Sequence, residues 1–190
     1  ESLKILELLG YWIFYRPRMF WWAFRLPQVF WDWRGEHLRA LTEYFTVDFP
    51  LHKVSKIRKS IGRVTFARLE KEIDKQRQKA SGYIENLKDI PGIKLITESP
   101  GTKATYPYLT LLFNDPIKRK KAQEKFRNSG LGVFQVYAQA ITDYDYLKDI
   151  VGNHDSPNAR YLAERQISLT TSTFLKEEDL DSVVGIIKGL

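Results

Sequence analysis

The clearest pattern in the chain is SPNARYLAERQISLTTSTFLKEEDLDSVVGIIKGL, residues 156–190. Pro157 suits the first turn of a helix, because the N–H that proline lacks would have no helical partner there. The alternation in residues 167–170 then predicts a β-strand. A second helix is predicted from residue 177, since acidic side chains crowd the end that the helix dipole makes positive. Its acidic residues are Glu177, Glu178, Asp179 and Asp181, and its apolar face consists of Leu180, Val183, Val184 and Ile187.

Upstream of this segment, the pattern predicts one long helix and three further strands. The helix extends over residues 53–90, where Val54, Ile57 and Ile61 begin an apolar stripe. Pro91 and the glycine after it end the helix. The strands are predicted at residues 93–97, 106–114 and 133–137.

Another helix is predicted after residue 115. Asp115 caps it and Pro116 occupies its first position, and the sequence NSG at residues 128–130 ends it. Its expected buried residues are Ile117, Ala122 and Phe126, and its expected water-facing residues are Lys118, Arg119, Lys120 and Lys121. The order helix, β, β, α, β, α, β, α predicts an α+β fold with a mostly antiparallel sheet and helices on one face.

Composition excludes several kinds of site. The chain has 190 residues, of which 43% are hydrophobic and 28% are charged, as in a globular protein. It has no cysteine, which excludes disulfides, thiolate zinc sites and a cysteine nucleophile. Its three histidines show no metal-ligand spacing. No signal-peptide pattern opens the chain, so we expect a cytoplasmic protein. The first residue, Glu1, indicates an excerpt from a longer chain.

Residues 1–50 form an aromatic-rich helical extension that contains all five tryptophans. Its apolar runs are interrupted by arginines and prolines and stay below the ~20 residues of a membrane-spanning helix. Tryptophan and arginine together suit a membrane surface. They suit a protein–protein interface equally well. We favour two short helices packed on a neighbouring domain, and a peripheral membrane contact remains the alternative.

The positive charge of the chain is concentrated in one segment. Residues 53–79 contain ten basic and three acidic residues, an excess equal to the net charge of +7 of the whole chain. Such an excess attracts phosphates, nucleic acid or an anionic membrane. No helix-turn-helix, RNP-type aromatic pair or GXXG loop supports nucleic-acid binding. The favoured interpretation is the solvated face of a helix.

Three segments resemble a known family when they are taken in order. They are RQKASGYIENLKDIPGIKL at residues 77–95, SGLGVFQVYAQAI at residues 129–141 and PNARYLAERQISL at residues 157–169. Together they resemble the C-terminal part of the DegT/DnrJ/EryC1/StrS aminotransferases, and the resemblance extends over residues 54–190. It implies that residues 51–190 are the small domain of a fold type I aminotransferase. The extension before it resembles an insertion found in a subset of the family.

The resemblance also implies a cofactor and partners. In this family a lysine of a large N-terminal domain holds pyridoxal phosphate as a Schiff base, and the small domain closes over it. The implied assembly is a homodimer, and the implied acceptor is a nucleotide-linked sugar or a related ketone. No lysine of this chain lies in such a motif, so we expect the chain alone to be inactive without its missing PLP-binding domain.

The resemblance implies three site residues. In PLHKVSK, Lys53 stands where the family usually has arginine and Ser55 where it has serine, and both are expected to reach the cofactor phosphate. A lysine binds phosphate as a point charge, without the fork of arginine. Tyr137 matches a tyrosine of the substrate site, although the proline and histidine that often follow it are absent. Two alternatives remain open, namely a solvated Lys53 and a half-buried strand residue at Tyr137.

Overall fold

The computed structural model describes residues 2–14, 16, 19, 21–35, 53–152 and 154–190. The chain divides into two compact units, an N-terminal unit (Glu1–Ala67) and a C-terminal unit (Arg68–Leu190). The predicted domain boundary at residue 50 lies outside the described residues. No helix among those residues has the length and apolarity that crossing a bilayer requires.

The N-terminal unit is helical in its described parts. Its elements are α1 (Ser2–Phe14), a π-helical turn (Trp21–Arg25), α2 (Leu26–Trp33) and α3 (Lys56–Phe66). Ser55 caps α3, because its Oγ accepts a hydrogen bond from the backbone N–H of Arg58 at 3.3 Å. No side chain that the structure describes in this unit is buried. The unit therefore has no apolar core among its described residues.

The prediction of one helix over residues 53–90 is wrong. The helix α3 ends at Phe66, and a separate helix, α4 (Leu69–Leu87), follows it. Thr65 contributes to the break, since its hydroxyl donates to the carbonyls of Ile61 and Gly62, at 3.0 Å each, and so competes with the backbone. Glycine at position 62 weakens the helix further. The new helix is favoured by Glu70 and Glu72 in its first turn.

The C-terminal unit contains one four-stranded sheet in the order β1-β2-β4-β3, with every pair antiparallel. The strands are β1 (Ile93–Ile96), β2 (Tyr108–Phe113), β3 (Val133–Phe134) and β4 (Gln166–Thr170). The helices after α4 are α5 (Pro116–Phe126), α6 (Lys148–Val151), α7 (Pro157–Arg165) and α8 (Glu177–Lys188). The antiparallel α+β class is confirmed. The order of elements is as predicted except that the first helix is divided in two and the short helix α6 is added.

One face of the sheet, here called the core face, carries the apolar core. Leu109 lies opposite Leu169, and Leu111 lies opposite Ile167, so these four side chains project from the same face. Buried residues of three helices complete the cluster, and they are Ala80, Tyr83 and Leu87 of α4, Ala122 and Phe126 of α5, and Val183, Val184 and Ile187 of α8. These helices cover the core face, as the sequence predicts.

The predicted start of α5 is confirmed, but its buried residues are partly different from the predicted ones. The Asp115 carboxylate accepts from the N–H of Ile117 at 2.8 Å, as expected of a cap. However, Ile117 is 63% exposed and Arg119 is 8% exposed, the reverse of the prediction. Arg119 shares a helix face with the buried Ala122 and Phe126, because residues three and seven positions apart align along a helix.

Two strands are shorter than predicted. Tyr106 has a φ of +49°, a left-handed conformation that a strand cannot contain, so β2 begins only at Tyr108. β3 ends at Phe134, since the main chain after it bonds to side chains and not to a neighbouring strand. Both differences depend on contacts that local patterns do not contain.

An ion pair fastens the loop between β1 and β2 to α4. The Arg77 guanidinium donates to both carboxylate oxygens of Glu98, at 3.0 and 3.2 Å. The backbone N–H of Ala104 donates to the same carboxylate at 2.7 Å. The hydrogen bond from Arg77, followed by the one from Ala104, lowers the pKa of Glu98 below its ordinary value of 4.5.

We therefore expect protection of this loop to fall in acid. Because the pKa of Glu98 is lower in the folded state than in the unfolded state, its contribution to stability is present at neutral pH and disappears as pH falls through 4.5 and below. The protection factors of residues 97–106, which are corrected for the slower intrinsic exchange in acid, should therefore fall in that pH range. Glu98→Gln should show fast exchange already at neutral pH, whereas Glu85→Gln, at an exposed position of α4, should behave as the wild type. Constant wild-type protection across the range would contradict this role of Glu98.

Candidate functional site

Tyr137 lies on the loop that follows β3, and its side chain is 56% exposed. Two glutamine amides hold its main chain. The carbonyl of Tyr137 accepts from Nε2 of Gln135 at 2.9 Å and from Nε2 of Gln166 at 3.1 Å. Gln135 also donates to the carbonyl of Ala163 in α7, at 2.8 Å. The backbone of Tyr137 is therefore fixed while its phenol remains accessible.

The buried Arg119 lies behind this loop. Its Nε donates to the carbonyl of Glu164 at 2.7 Å, and its Nη1 donates to Oε1 of Gln123 at 2.5 Å. A longer contact of 3.4 Å joins Nη1 to Oε1 of Gln135. Burial lowers the pKa of Arg119, but a guanidinium keeps its charge in proteins. Arg119 thus connects α5, α7 and the loop that carries Tyr137.

Residues between β3 and α7 surround a polar pocket of about 260 Å³. Arg160 closes one side of it and donates to Asp143 at 2.8 and 2.9 Å and to Asp155 at 2.5 Å. This guanidinium lowers the pKa of Asp143. Lys148 pairs with Asp145 at 2.5 Å. Two cations face three carboxylates here, so the net charge of −1 disfavours an anionic ligand. Its lining residues are Thr142, Lys148, Gly152, His154, Asp155 and Arg160.

The other two predicted site residues belong to the N-terminal unit. Lys53 is exposed and directly precedes α3, and Ser55 is half-buried at its cap. The unpaired N–H groups at a helix start favour an anion, and the side chains of Lys53 and Lys56 add positive charge there. Tyr137 lies in the C-terminal unit. The roles of Lys53 and Ser55 at the cofactor phosphate and of Tyr137 at the substrate stay predictions.

One lysine of the C-terminal unit has a lowered pKa, and burial is the main cause. Nζ of Lys79, in α4, donates to the carbonyl of Ser172 at 2.6 Å and also to that of Leu175. A lysine that forms an imine needs a free amine aimed at an open site. Lys79 instead fastens the segment before α8, so its role is structural.

A sequence profile identifies the family. The DegT/DnrJ/EryC1/StrS aminotransferase profile matches residues 50–188. The chain belongs to this family. The match confirms the resemblance that the three sequence segments carry, and it covers the whole C-terminal unit except its last two residues.

Several solved structures have a similar fold over part of their length. The chain resembles the aminotransferase TlmJ from Streptoalloteichus hindustanus (21% identity, TM-score 0.59), covering 82% of this chain and 43% of that one. It also resembles E. coli GDP-4-keto-6-deoxy-D-mannose-3-dehydratase with bound hydrated PLP (18%, 0.61), covering 78% and 39%. A third is DesI in the presence of its TDP-sugar product (19%, 0.62), covering 71% and 35%. At these identities the likeness shows the fold. The chain spans less than half of the length of each.

No curated protein matches the chain in sequence.

Proposed function

We propose that this chain is the C-terminal part of a pyridoxal-phosphate-dependent aminotransferase of fold type I that acts on a nucleotide-linked sugar or a related ketone. The observation that carries the proposal is the family match over residues 50–188. The antiparallel sheet with helices on its core face supports it, as do solved relatives with bound PLP or a TDP-sugar. The chain spans less than half of each of these relatives, which supports a further PLP-binding domain that carries the catalytic lysine.

The start of α3 fits the phosphate of the cofactor. The Oγ of Ser55 accepts from the N–H of Arg58, so its own proton is free to be donated to an anion. Lys53 adds a positive charge two residues before Ser55, and the helix dipole favours an anion at the same end. Pyridoxal phosphate, when bound, supplies an electron sink for the reaction. In this proposal Lys53 and Ser55 hold its phosphate across the interface of a homodimer.

Tyr137 has the role of orienting the substrate. Gln135 and Gln166 bind its main-chain carbonyl, so the backbone from which the side chain extends is fixed. The side chain itself is exposed, so its hydroxyl is accessible. A phenol donates and accepts one hydrogen bond each, which suits a sugar hydroxyl. Holding the substrate within reach of the reacting atoms is a catalytic contribution in its own right, because orientation lowers the entropic part of the barrier.

Borohydride reduction of the intact enzyme tests where the chemistry takes place. The whole reading frame is expressed, loaded with pyridoxal phosphate, reduced and digested, and the labelled peptide is identified by mass spectrometry. We expect the label on a lysine outside these 190 residues. The chain expressed alone should acquire neither label nor the visible absorbance of the bound cofactor. A label on Lys79 or on any other lysine of this chain would contradict the proposal.

Two variants of the intact enzyme distinguish residues that bind the cofactor phosphate from the lysine that borohydride labels. Lys53→Ala should weaken cofactor binding while the labelled lysine stays the same, because Lys53 contacts only the phosphate. Lys120→Ala, at an exposed position of α5, is the matched control and should leave the cofactor affinity unchanged. Equal affinity in both variants would remove Lys53 from the site without affecting the assignment of the family.

A further inference from the structure

The N-terminal unit exposes an unusual amount of apolar surface. Fifteen large hydrophobic side chains between Leu3 and Trp33 are exposed. The most exposed aromatic ones are Trp12, Trp22 and Trp33, at 67, 61 and 81%. So many exposed large apolar side chains within one short segment are unusual, because large exposed apolar patches mark sites that bind a protein or a membrane.

This surface lies outside the part of the chain that the family profile matches, which begins at residue 50. The features that define the family therefore do not account for it. The helix α3 is apolar on one side as well, but it belongs to the matched part and carries the proposed phosphate contacts. The apolar surface that the family match leaves unexplained is that of residues 2–35.

The charges around this surface are mostly positive. Residues 2–35 contain five basic and two acidic side chains. The guanidinium of Arg16 lies 4.8 Å from the ring centre of Trp12, and that of Arg34 lies 5.6 Å from the ring centre of Phe30. Each pair places a cation beside an aromatic ring, as occurs where aromatic rings lie at the headgroup level and cations bind lipid phosphates.

The distribution of apolar side chains favours a lipid over a protein partner. On α1, exposed apolar residues occur at consecutive positions and form no single stripe, as in Ile5 and Leu6 and again in Leu8 and Leu9. A groove in a protein covers one stripe of a helix, so it would leave the other apolar side chains of α1 in water. A second copy of this chain would bring like charges together.

We propose that residues 2–35 bind the surface of an anionic phospholipid bilayer, with the tryptophans at the boundary of headgroups and acyl chains and the arginines on the lipid phosphates. Burial of the aromatic side chains and attraction to the anionic headgroups both contribute to such binding. The proposal concerns a function of the N-terminal unit that is separate from aminotransferase chemistry.

The tryptophans provide a direct measurement on the full chain. All five lie between residues 12 and 33, so tryptophan emission reports on this segment alone. The chain is mixed with phosphatidylcholine vesicles that either contain or lack phosphatidylglycerol. We expect a blue shift and co-sedimentation with the anionic vesicles, and weaker binding to neutral vesicles or at high salt. Lipids brominated near the headgroup should quench the emission.

Variants compared by co-sedimentation separate the two contributions. Replacing Trp12, Trp22 and Trp33 by serine together should lower the partition coefficient about tenfold or more. Arg16→Gln and Arg34→Gln should each lower it about fivefold on anionic vesicles and leave binding to neutral vesicles unchanged. Phe174→Ser is the control, because Phe174 is similarly exposed at 55% but lies in the C-terminal unit.

Four results would overturn the proposal. Three of them are the absence of co-sedimentation with anionic vesicles, a serine triple variant that binds as the wild type does, and an equal loss in Phe174→Ser. A blue shift without vesicles that grows with protein concentration would also overturn it, since the surface would then bind a second copy of the chain.

Discussion

Replacement of Leu169 by alanine is expected to lower the free energy of unfolding of the C-terminal unit by about 4 kcal/mol. Leu169 is fully buried on β4, where it lies opposite Leu109 of β2 and Val133 of β3. Alanine removes three carbon atoms from the centre of the core face. The β-strand backbone cannot move into the space, because both neighbouring strands bond to β4, so a cavity remains.

The measurement requires a probe of the C-terminal unit. Tryptophan emission is unsuitable, since all five tryptophans lie in residues 12–33. Urea unfolding followed by circular dichroism, with hydrogen exchange of β2 and β4, reports on the sheet directly. The matched control is Ile96→Ala, because Ile96 is 43% exposed and projects from the opposite face of the sheet. Its loss should be within about 1 kcal/mol. Equal losses in the two variants would show that the core face is not the main source of stability.

Most of the secondary structure could be predicted because its signals are local. The strand at residues 166–170 shows alternation, Asp115 and Pro116 mark a helix start by side-chain chemistry, and the acidic turn at Glu177 marks another. Each signal operates within a few residues, so no knowledge of distant contacts is needed. The antiparallel class then follows from the order of the elements.

The break after Phe66 and the burial of Arg119 were not predicted, for a different reason. The apolar pattern shows no stop signal at residues 66–68, yet one helix ends at Phe66 and the next begins at Leu69. The hydrogen bonds of Thr65, which weaken the helix at this point, depend on the folded backbone. Arg119 stands in a run of four basic residues that hydropathy cannot tell apart. What distinguishes it is a set of acceptors from distant positions, among them the carbonyl of Glu164. The available signal was the single arginine among lysines, since arginine tolerates burial better than lysine does.

In the candidate site, too, local features could be predicted from the sequence and features that depend on distant contacts could not. Ser55 could be recognised as a helix cap, because serine precedes a helical pattern. The fixation of Tyr137 could not, because Gln166 lies 29 residues further along the chain and reaches the tyrosine only in the folded sheet. The identity of Tyr137 as a site residue came from the resemblance to the family, and its fixed backbone with an exposed phenol agrees with that role without testing it.

Arg119→Ala is expected to lower the free energy of unfolding by about 3 kcal/mol. The variant removes the charged donor of two part-buried hydrogen bonds, to the carbonyl of Glu164 and to the amide oxygen of Gln123. A hydrogen bond from a charged group contributes about 1.5–3 kcal/mol, and water replaces part of it because both acceptor residues are exposed. It also removes the apolar stem of the arginine, which packs beside Ala122 and Phe126 on the same helix face. Relief from burying a charge offsets part of the loss.

The same variant has a second readout that a purely structural role would not change. Because Arg119 contacts Gln135, and Gln135 holds the carbonyl of Tyr137, the amides of residues 137–139 should exchange faster in Arg119→Ala under conditions where β2 and β4 remain protected. Arg119→Lys keeps the charge but not the fork, so it should restore stability only in part. Lys120→Ala, exposed at the adjacent position, should change neither readout by more than about 0.5 kcal/mol. Lower stability with an unchanged Tyr137 loop would mean that Arg119 supports the core alone, and the position of the tyrosine would then depend on Gln166.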